Sequence, residues 1–422
     1  MLDIRFVTNH ANLVQQSVDA RGLNLSVDTV LDSYQKLIEI KKDLDQQREQ
    51  SNKIAKQIPS ASDEQKPSLI QQGKDTKKTI SQLETQVHTL QQQYLELAHQ
   101  LPNQLAKETP EGLDDQENLT IRQYKEPTQF DFEPLDHIEL GKKHDLIDFD
   151  TASQITGSKF FLLKNKAVIL DLALQRFAID QACQAGFTPI ATPDLAKNSM
   201  LTSAGFNPRG RESNIYQLKD HDLSLIATAE IPLGGIHANQ ILSETDLPKK
   251  YVGISHCFRT EAGASGQAGK GLYRVHQFTK VELYVFCHPD DSEQQHKAIL
   301  ELEEKIYQAL ELPHRVMRIC AGDLGAPAYK KFDIEAWMPR KNKTGAWGEV
   351  TSASNCTDFQ ARRLNCRYKD SHGKNHLVHT LNGTAIASAR TLLALLENGQ
   401  KADGSIHIPS ILHPYTGFSK ID

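Results

Sequence analysis

The fold of this chain is decided by the stretch GLYRVHQFTKVELYVF at 271–286, which follows FRTE at 258–261. Alternate residues of a strand point to opposite faces, and the odd-numbered positions from 273 to 285 are mostly apolar. The even-numbered positions from 272 to 286 mix charged and aromatic side chains, which are costly to bury unless they are paired or bind a ligand. The glycine-rich segment between the two stretches suits a long hairpin connection. The pattern predicts two antiparallel strands that present Arg, Glu and Phe side chains to one ligand, and a buried ion-pair network supporting the sheet is the alternative.

Upstream of this stretch the sequence contains a long heptad pattern. Mostly apolar residues recur at alternating steps of four and three from 69 to 101, and the same spacing runs from 30 to 58. Two prolines bracket a polar turn between these segments. Folding the second segment back on the first pairs the seam positions, for example Leu44 with Leu83 and Ala55 with Gly73. The sequence therefore predicts an antiparallel coiled-coil hairpin of roughly 50 Å, an arm that projects instead of forming a core.

Charge is distributed unevenly along the predicted hairpin. The half nearest the turn has more basic than acidic residues, whereas the other half is net acidic. A positive tip suits contact with a phosphate backbone, and a solvated coiled coil used only for assembly is the alternative. The candidate nucleic-acid contacts are Arg48, Lys53, Lys56, Lys74, Lys77 and Lys78.

Composition and charge argue against several classes of protein. The chain has 422 residues, of which 39% are hydrophobic and 24% charged, and its net charge is −5. These values suit a folded protein of two domains with no global attraction to nucleic acid. The 6 cysteines show no C-x-x-C spacing, and the histidines near residue 376 have no accompanying zinc-ligand pattern. We expect a cytoplasmic protein without zinc, without an export signal and without a membrane span.

The remainder of the chain is predicted to be an α+β domain, with a mixed, mainly antiparallel sheet flanked by helices. Residues 103–150 are polar and interrupted by prolines, and we interpret them as a linker. The strand predicted at 187–193 contains prolines, which places it at an edge or interface. Further strands are predicted at 224–230, 251–261, 271–286, 315–319, 331–337 and 348–351. Helices are predicted at 167–186, 290–310 and 383–398.

The charged residues on these predicted strands suggest triphosphate chemistry. No intact P-loop is present, because GQAGKG at 266–271 lacks the required first glycine and final Ser or Thr, and no G-x-G-x-x-G follows a strand. Without a P-loop, separated arginines hold phosphate charge, and carboxylates or hydroxyls hold Mg²⁺. Arg259 and Arg390 are the candidate arginines, and Phe278 is a candidate for stacking on a base.

Two segments resemble conserved motifs of one enzyme class. RTE at 259–261, together with GLYRVHQFTKVE at 271–282, looks like motif 2 of class II aminoacyl-tRNA synthetases. The segment HTLNGTAIASARTLLALLEN at 379–398 looks like motif 3 of the same class.

Other segments narrow the resemblance to seryl-tRNA synthetases of the bacterial type. TAE at 228–230 is similar to an element of that family, and so are CAGDLGAPAYKKFDIEAWMP at 320–339 and EVTSASNCTDFQARR at 349–363. The coiled-coil hairpin resembles the family's tRNA-binding domain. The resemblance covers essentially the whole chain and implies a tRNA-binding arm at 1–105 and a class II catalytic domain at 106–422.

The resemblance also implies an activity and roles for individual residues. Family members use ATP to activate L-serine as seryl-adenylate, then transfer serine to the 3′ end of tRNA(Ser), and of tRNA(Sec) where that tRNA exists. Arg259 and Arg390 are the implied catalytic residues, and Glu349 and Ser352 are implied to bind Mg²⁺ with ATP. The implied ATP-binding residues are Arg259, Thr260, Glu261, Val275, Phe278, Glu349, Val350, Thr351, Ser352 and Arg390. The implied serine-binding residues are Thr228, Ala229, Glu230, Arg259, Glu282 and Thr384.

The family resemblance further implies a homodimer, with motif 1 at 187–193 in its interface. The sequence departs from the family at Ala389, where glycine is usual, and in the loop 262–270, which lacks an expected acid–arginine pair. Two other functions remain as alternatives. One is a paralogue that loads an amino acid onto a carrier other than tRNA, and the other is a catalytically inactive coiled-coil regulator.

Overall fold

The computed structural model describes residues 2–206, 214–261 and 271–422. The chain divides into two compact units, Met1–Pro102 and Asn103–Asp422. Within the described residues, no helix combines the length and apolar character needed to span a bilayer.

The N-terminal unit is entirely helical. Two short helices precede a hairpin of two long ones, and a 3₁₀ turn at Ile58–Ser60 separates the long pair. Ser26 caps the first long helix, because its hydroxyl accepts a hydrogen bond from the Thr29 amide. The helices are α1 (Ile4–Asn9), α2 (Ala11–Ala20), α3 (Val27–Gln57) and α4 (Lys66–Ala98).

The heptad seam pairs α3 with α4 as the sequence predicted. The rings of Tyr34 and Tyr94 lie 5.2 Å apart across the hairpin. Near the turn, however, the predicted pairing of Ala55 with Gly73 is wrong: Ala55 is exposed and Ile54 is buried instead. A methyl group built on Gly73 would lie 3.7 Å from the Ile54 side chain. The seam moves by one residue because a straight helix has 3.6 residues per turn and drifts relative to a strict heptad.

The C-terminal unit is built on an eight-stranded sheet in the order β1-β10-β11-β12-β15-β9-β8-β4. All neighbouring strands are antiparallel except β4 and β8, which run parallel. The predicted fold class is therefore confirmed, and the proline-containing strand β4 lies at an edge as expected. The strands of this sheet are β1 (Leu119–Tyr124), β4 (Thr188–Ala191), β8 (Lys249–Phe258), β9 (Gln277–Cys287), β10 (His314–Arg318), β11 (Lys330–Met338), β12 (Ala346–Asn355) and β15 (His379–Ala387).

Shorter strands and helices complete the unit. The short strands are β2 (Ile147–Asp148), β3 (Leu162–Leu163), β5 (Leu195–Lys197), β6 (Leu223–Leu225), β7 (Ile241–Ser243), β13 (Arg367–Lys369), β14 (Asn375–Leu377), β16 (Ile406–His407) and β17 (Lys420–Ile421). The helices are α5 (His137–Lys143), α6 (Phe149–Thr156), α7 (Lys166–Gln184), α8 (Asn198–Ala204), α9 (Glu230–Gly235), α10 (Ser292–Ala309), α11 (Phe359–Leu364), α12 (Ser388–Gly399) and α13 (His413–Thr416). Helices α7, α10 and α12 contribute to the main apolar core with the sheet, for example through Phe177, Tyr307 and Leu392.

Three sequence interpretations are wrong in this unit. Residues 103–150 are more than a linker, because they supply β1, which pairs with β10. The strand predicted from 271 begins only at Gln277, and β8 ends at Phe258. Arg259 and Arg274 therefore lie in the connection between the two strands and not on the strands themselves. Residues 224–230 are not one strand either, since β6 ends at Leu225 and Glu230 begins α9.

The helix predicted at 383–398 is wrong in its first third. Residues 379–387 form β15, and the helix α12 starts at Ser388. All of β15 after His379 is buried. Because small and apolar residues lie on both faces of this strand, it lacks the alternation of apolar and polar residues that marks a half-exposed strand. Periodicity alone does not distinguish such a short apolar run from a segment of buried helix. Asn382 and Gly383 therefore lie within a central strand and not in a turn.

Candidate functional site

Two adjoining compartments open over the middle of the sheet. The first has about 550 Å³ of empty space and the second about 800 Å³. Arg259, Lys280 and Ser352 line both of them. Predicted residues in the first compartment are Arg259, Glu261, Val275, Phe278, Glu349, Val350, Thr351, Ser352, Thr384 and Arg390. Predicted residues in the second are Thr228, Glu230, Arg259, Glu282 and Ser352.

Two predicted residues lie apart from these linings. Among the described residues, neither Ala229 nor Thr260 lines either compartment. Ala229 is fully buried and packs under β8, where a methyl group on Gly253 would lie 3.2 Å from its Cβ. The Thr260 amide donates a hydrogen bond to the carbonyl of Asn214 at 3.2 Å. The loop 262–270, where the sequence departs from the family, lies outside the described residues.

Arg259 forms the wall that the two compartments share. It follows the end of β8, and its amide donates to the carbonyl of His276 at 2.9 Å, so the backbone beyond the strand stays tied to the start of β9. Its guanidinium lies over the Phe278 ring at 5.2 Å from the centroid, within cation–π range. The Arg259 Nε also donates to the Ala227 carbonyl over a long 3.4 Å contact. Arginine and phenylalanine thus form a flat, positively charged surface.

Arg390 and Glu349 make the second charged pair of the first compartment. The Arg390 Nη1 lies 3.2 Å from Glu349 Oε2 and donates to the Glu349 carbonyl at 2.9 Å. Arg390 Nε donates to the Tyr273 carbonyl at 3.1 Å, and the guanidinium covers the Tyr273 ring. Burial alone would raise the pKa of Glu349, but the guanidinium of Arg390 and then the ammonium of Lys331 outweigh it and lower that pKa to about 2. Glu349 is therefore an ionised carboxylate at the pocket wall at any physiological pH.

A β-bulge in β12 decides which side chains face this compartment. The pairing with β11 shifts between Thr351 and Glu349, which leaves Val350 as the extra residue. Thr351 consequently directs its hydroxyl to buried Glu303 on α10, at 2.9 Å. An uninterrupted two-residue period would predict that Glu349 and Thr351 share a face; this prediction is wrong, because the bulge interrupts the period. Ser352 is instead the residue that lines both compartments.

The second compartment contains two buried carboxyl groups. Glu282 on β9 pairs with Lys280, two residues earlier on the same face, and Lys280 Nζ contacts the Thr384 hydroxyl at 3.5 Å. Burial raises the pKa of Glu282, and the positive charge of Lys280 opposes that rise. Burial, and next the charge of Glu282, raise the pKa of Glu230 to about 7. This compartment is suited to a small cation that also carries hydrogen-bonding groups.

Sequence reasoning missed several residues of the site. Lys280 lines both compartments, Lys331 and Asn382 line the second, and Tyr273 lines the first. The alternating pattern of β9 was a sufficient signal for Lys280, which shares its face with Glu282. No local signal identifies Asn382, because the residues of its strand have the pattern of a segment that leads into a helix.

The arm residues proposed for nucleic-acid contact are all exposed. Two of them already have acidic partners, since Arg48 bonds to Glu84 across the hairpin at 2.8 Å and Lys53 bonds to Glu49 at 2.6 Å. Exposed pairs of this kind contribute little free energy and exchange readily for a phosphate.

Comparisons with known proteins agree on one family. The sequence model of the seryl-tRNA synthetase N-terminal domain matches residues 1–105, and that of the tRNA synthetase class II core domain (G, H, P, S and T) matches residues 214–399. The serine–tRNA ligase of Treponema denticola is 47% identical, with 100% of both chains covered. That of Rhodopirellula baltica is 48% identical over 99% of this chain and 98% of the relative.

Solved structures give the same answer. Seryl-tRNA synthetase from Pyrococcus horikoshii, crystallised as a complex with ATP, superposes with a TM-score of 0.91 at 40% identity, covering 100% of this chain and 99% of the other. The cytoplasmic serine–tRNA ligase of Naegleria fowleri, in complex with AMP, superposes with a TM-score of 0.86 at 27% identity, again covering 100% and 99%. Membership of one family accounts for the sequence motifs, the arm, the sheet and the two compartments: this chain belongs to the seryl-tRNA synthetase family.

Proposed function

We propose that this chain uses ATP to convert L-serine to seryl-adenylate and then transfers the serine to the 3′ end of tRNA(Ser). The observation that carries the proposal is Arg259, which stands between a compartment with a second arginine and an aromatic platform and a compartment with two carboxyl groups. Activation requires the α-phosphate of ATP and the carboxylate of serine to meet. Two cations line both compartments, and since Lys280 is ion-paired with Glu282, Arg259 is the one assigned to this meeting point.

The second compartment is assigned to serine. Glu230 and Glu282 offer acceptors for the ammonium group and the hydroxyl of the amino acid, and Thr228 lines the same compartment. A site that bonds a substrate hydroxyl rejects the analogue that lacks it, because buried polar groups are then left unpaired. Alanine is therefore expected to be activated far less efficiently than serine.

The first compartment is assigned to ATP. The adenine is expected to stack on Phe278, and Arg390 is expected to hold the outer phosphate charge. Glu349, held ionised by its cationic neighbours, and the hydroxyl of Ser352 are the oxygen donors that Mg²⁺ prefers, so the site fits this ion. Bound with ATP, Mg²⁺ would neutralise phosphate charge. We do not expect a requirement for zinc.

No protein nucleophile is needed in this reaction. The serine carboxylate attacks the α-phosphorus in line, a new O–P bond forms, and pyrophosphate leaves with the electrons of the broken P–O bond. The 3′-terminal hydroxyl of tRNA then attacks the carbonyl carbon and forms the ester bond. The carbonyl C–O bond to the phosphate breaks, AMP leaves with its electrons, and the hydroxyl proton passes to the departing phosphate. Catalysis consists of positioning the reactants and of stabilising charge through Arg259 and Arg390.

The helical hairpin is assigned to tRNA, and the whole protein to the cytoplasm as a homodimer. The edge strand β4 (Thr188–Ala191) and the exposed apolar side chains Val168, Ile169 and Leu172 of α7 suit the expected dimer interface near motif 1. Charging of tRNA(Sec) is proposed wherever that tRNA is present.

One experiment separates this function from its alternatives. Serine-dependent exchange of pyrophosphate into ATP is measured first, and charging of tRNA(Ser) second. Exchange together with charging is expected. Exchange without charging would favour a paralogue that loads another carrier, and no exchange with any amino acid would favour a regulatory protein.

The arm is tested separately with charge reversals. Changing Lys74, Lys77 and Lys78 to glutamate should raise the KM for tRNA at least tenfold while leaving pyrophosphate exchange unchanged, because phosphate contacts dominate such affinity. Reversing Lys297 and Lys305 on α10 is the control. If both sets of variants charge tRNA equally well, the tip does not bind tRNA.

A further inference from the structure

Gln360 on α11 is completely buried beneath the second compartment. Its Nε2 donates to Glu230 Oε1 at 2.6 Å and to the Ala204 carbonyl at 3.0 Å. Its Oε1 accepts from the Tyr284 hydroxyl at 2.9 Å and from the Thr380 hydroxyl at 2.8 Å. A side-chain amide offers two N–H donors and two acceptor positions, so every hydrogen-bonding position of Gln360 is used.

This arrangement leaves only one orientation for the amide. Turning it over would place its oxygen against the Glu230 carboxylate and the Ala204 carbonyl, and its NH₂ group against two hydroxyls. The two hydroxyls belong to the central sheet, since Tyr284 lies on β9 and Thr380 on β15. The Ala204 carbonyl and the Glu230 carboxylate thus set the orientation of the amide, because a hydroxyl can either donate or accept, and the two hydroxyls of the central sheet hold the amide oxygen in place.

The bonds to Glu230 are one-sided. Asn382 Nδ2 also donates to Glu230 Oε1, at 3.0 Å, so among the described residues both side-chain donors reach the same carboxylate oxygen. Among the described residues no side-chain donor bonds to Oε2, so this oxygen remains available to a ligand in the compartment that Glu230 lines. Ala204, the other acceptor of the Gln360 amide NH₂ group, lines that compartment as well, next to Gly205 and Phe206.

We propose that Gln360 is a positioning residue for the amino-acid substrate: it fixes the rotamer of Glu230 and ties that carboxylate to the compartment wall at Ala204. This inference rests on the proposed function, because it assigns the second compartment to serine. Gln360 does not itself line either compartment among the described residues, so it acts through Glu230. The ATP compartment shares none of its four bonding partners, namely Glu230, Ala204, Tyr284 and Thr380.

The test is the effect of substitutions on the KM for serine compared with that for ATP, in pyrophosphate exchange. Gln360→Glu places a second carboxyl group against Glu230, and Gln360→Met removes all four hydrogen bonds at similar volume. Both should raise the KM for serine at least tenfold and change the KM for ATP by less than twofold. Tyr284→Phe removes a single bond from the amide oxygen and should raise the KM for serine about threefold.

Gln175→Glu is the matched control. Gln175 is also buried and also donates to a carboxylate, Asp171, at 2.6 Å, but it lies on α7 away from both compartments. It should leave both KM values unchanged. If the Gln360 variants fail to fold in a thermal melt, Tyr284→Phe decides the question.

Two results would overturn the inference: an unchanged KM for serine in folded Gln360→Glu or Tyr284→Phe protein, or equal rises in the KM for serine and for ATP. Failure of the proposed function is recognised differently, because the unmodified protein would then show no serine-dependent exchange at all.

Discussion

Replacing Arg259 by alanine should remove most serine-dependent pyrophosphate exchange while the protein stays folded. Arg259 lines both compartments, so its cation is placed where the α-phosphate and the serine carboxylate meet. Removing one preorganised donor from a transition state costs about 10²–10³-fold in kcat, or roughly 2.7–4 kcal/mol. We expect a loss of at least that size, since the donor removed here is charged.

The cost of this substitution to stability should be small. Among the described residues, the Arg259 guanidinium makes one long hydrogen bond, 3.4 Å to the Ala227 carbonyl, and covers the ring of Phe278. Losing these contacts should lower the free energy of unfolding by about 1 kcal/mol. A thermal melt and a urea titration measure this cost beside the exchange assay.

Arg315→Ala is the matched control for Arg259→Ala. Arg315 lies on β10 of the same sheet and also covers an aromatic ring, that of Trp347, at 5.4 Å from the centroid. It is ion-paired with Glu335 and lines neither compartment among the described residues. Its removal should leave exchange within about twofold of the unmodified protein. Near-normal exchange in folded Arg259→Ala protein would refute the role given to Arg259, and equal losses in both variants would show that the effect is structural.

Three further predictions concern buried groups of the same unit. Because burial and the charge of Glu282 raise the pKa of Glu230 to about 7, kcat/KM for serine should increase as pH rises through 7. Glu230→Gln should abolish that dependence. A flat pH profile in the unmodified protein would contradict the role of Glu230 in binding serine. Burial raises the pKa of Glu303 well above its usual range, which favours its neutral form. Glu303→Gln, a neutral side chain of the same shape, should therefore change the free energy of unfolding in urea by less than about 1 kcal/mol, whereas Glu303→Leu, which removes the acceptor of the Thr351 hydroxyl, should cost about 1–3 kcal/mol. A methyl group on Gly383 would lie 2.3 Å from the Ile299 side chain and 2.6 Å from Glu303 Oε1. Gly383→Ala should therefore lower the urea midpoint by an amount equivalent to about 1–3 kcal/mol. An unchanged midpoint would show that α10 moves away from the strand without cost in free energy.

The raised pKa of Glu230 also has a consequence for stability. A carboxyl group whose pKa is higher in the folded than in the unfolded state favours folding most when it is protonated. That contribution is fully present below the unfolded value of about 4.3 and is lost as pH rises through about 7. Glu230 therefore loses folding free energy over the pH range in which it gains the charge needed to bind an ammonium group. A ligand whose positive charge compensates the Glu230 carboxylate should restore stability, and serine is expected to raise the melting temperature more at pH 8 than at pH 6.

Much of the architecture follows from local patterns. The heptad spacing specified the hairpin and, away from the turn, its pairing, as the contact between Tyr34 and Tyr94 shows, because the helical period fixes which residues face the partner helix. Alternation located β9 and placed Phe278, Lys280 and Glu282 on one face, because side chains of a strand alternate with a period of two.

Other elements were predicted wrongly where the local period is interrupted or hidden. The bulge at Val350 turns Thr351 towards α10 and brings Ser352 into the site. Strand β15 is covered on both faces and therefore carries no alternation, so Asn382 and its bond to Glu230 were missed.

The sequence by itself determined the family, the helical arm and the charged residues of the site, because these depend on residue identity and on short-range periodicity. Only the tertiary structure decided how residues far apart in sequence combine. Arg390 and Glu349 become one ion pair through the packing of α12 on the sheet, and Gln360 meets Glu230 across 130 positions of sequence. Neither the pairing of charges nor the burial that shifts their pKa values is visible in a linear pattern, because both depend on which distant side chains exclude water from the same space. The stretch at 271–286 contributes its residues to the site, but strands β12 and β15 and helix α12 determine what those residues bind.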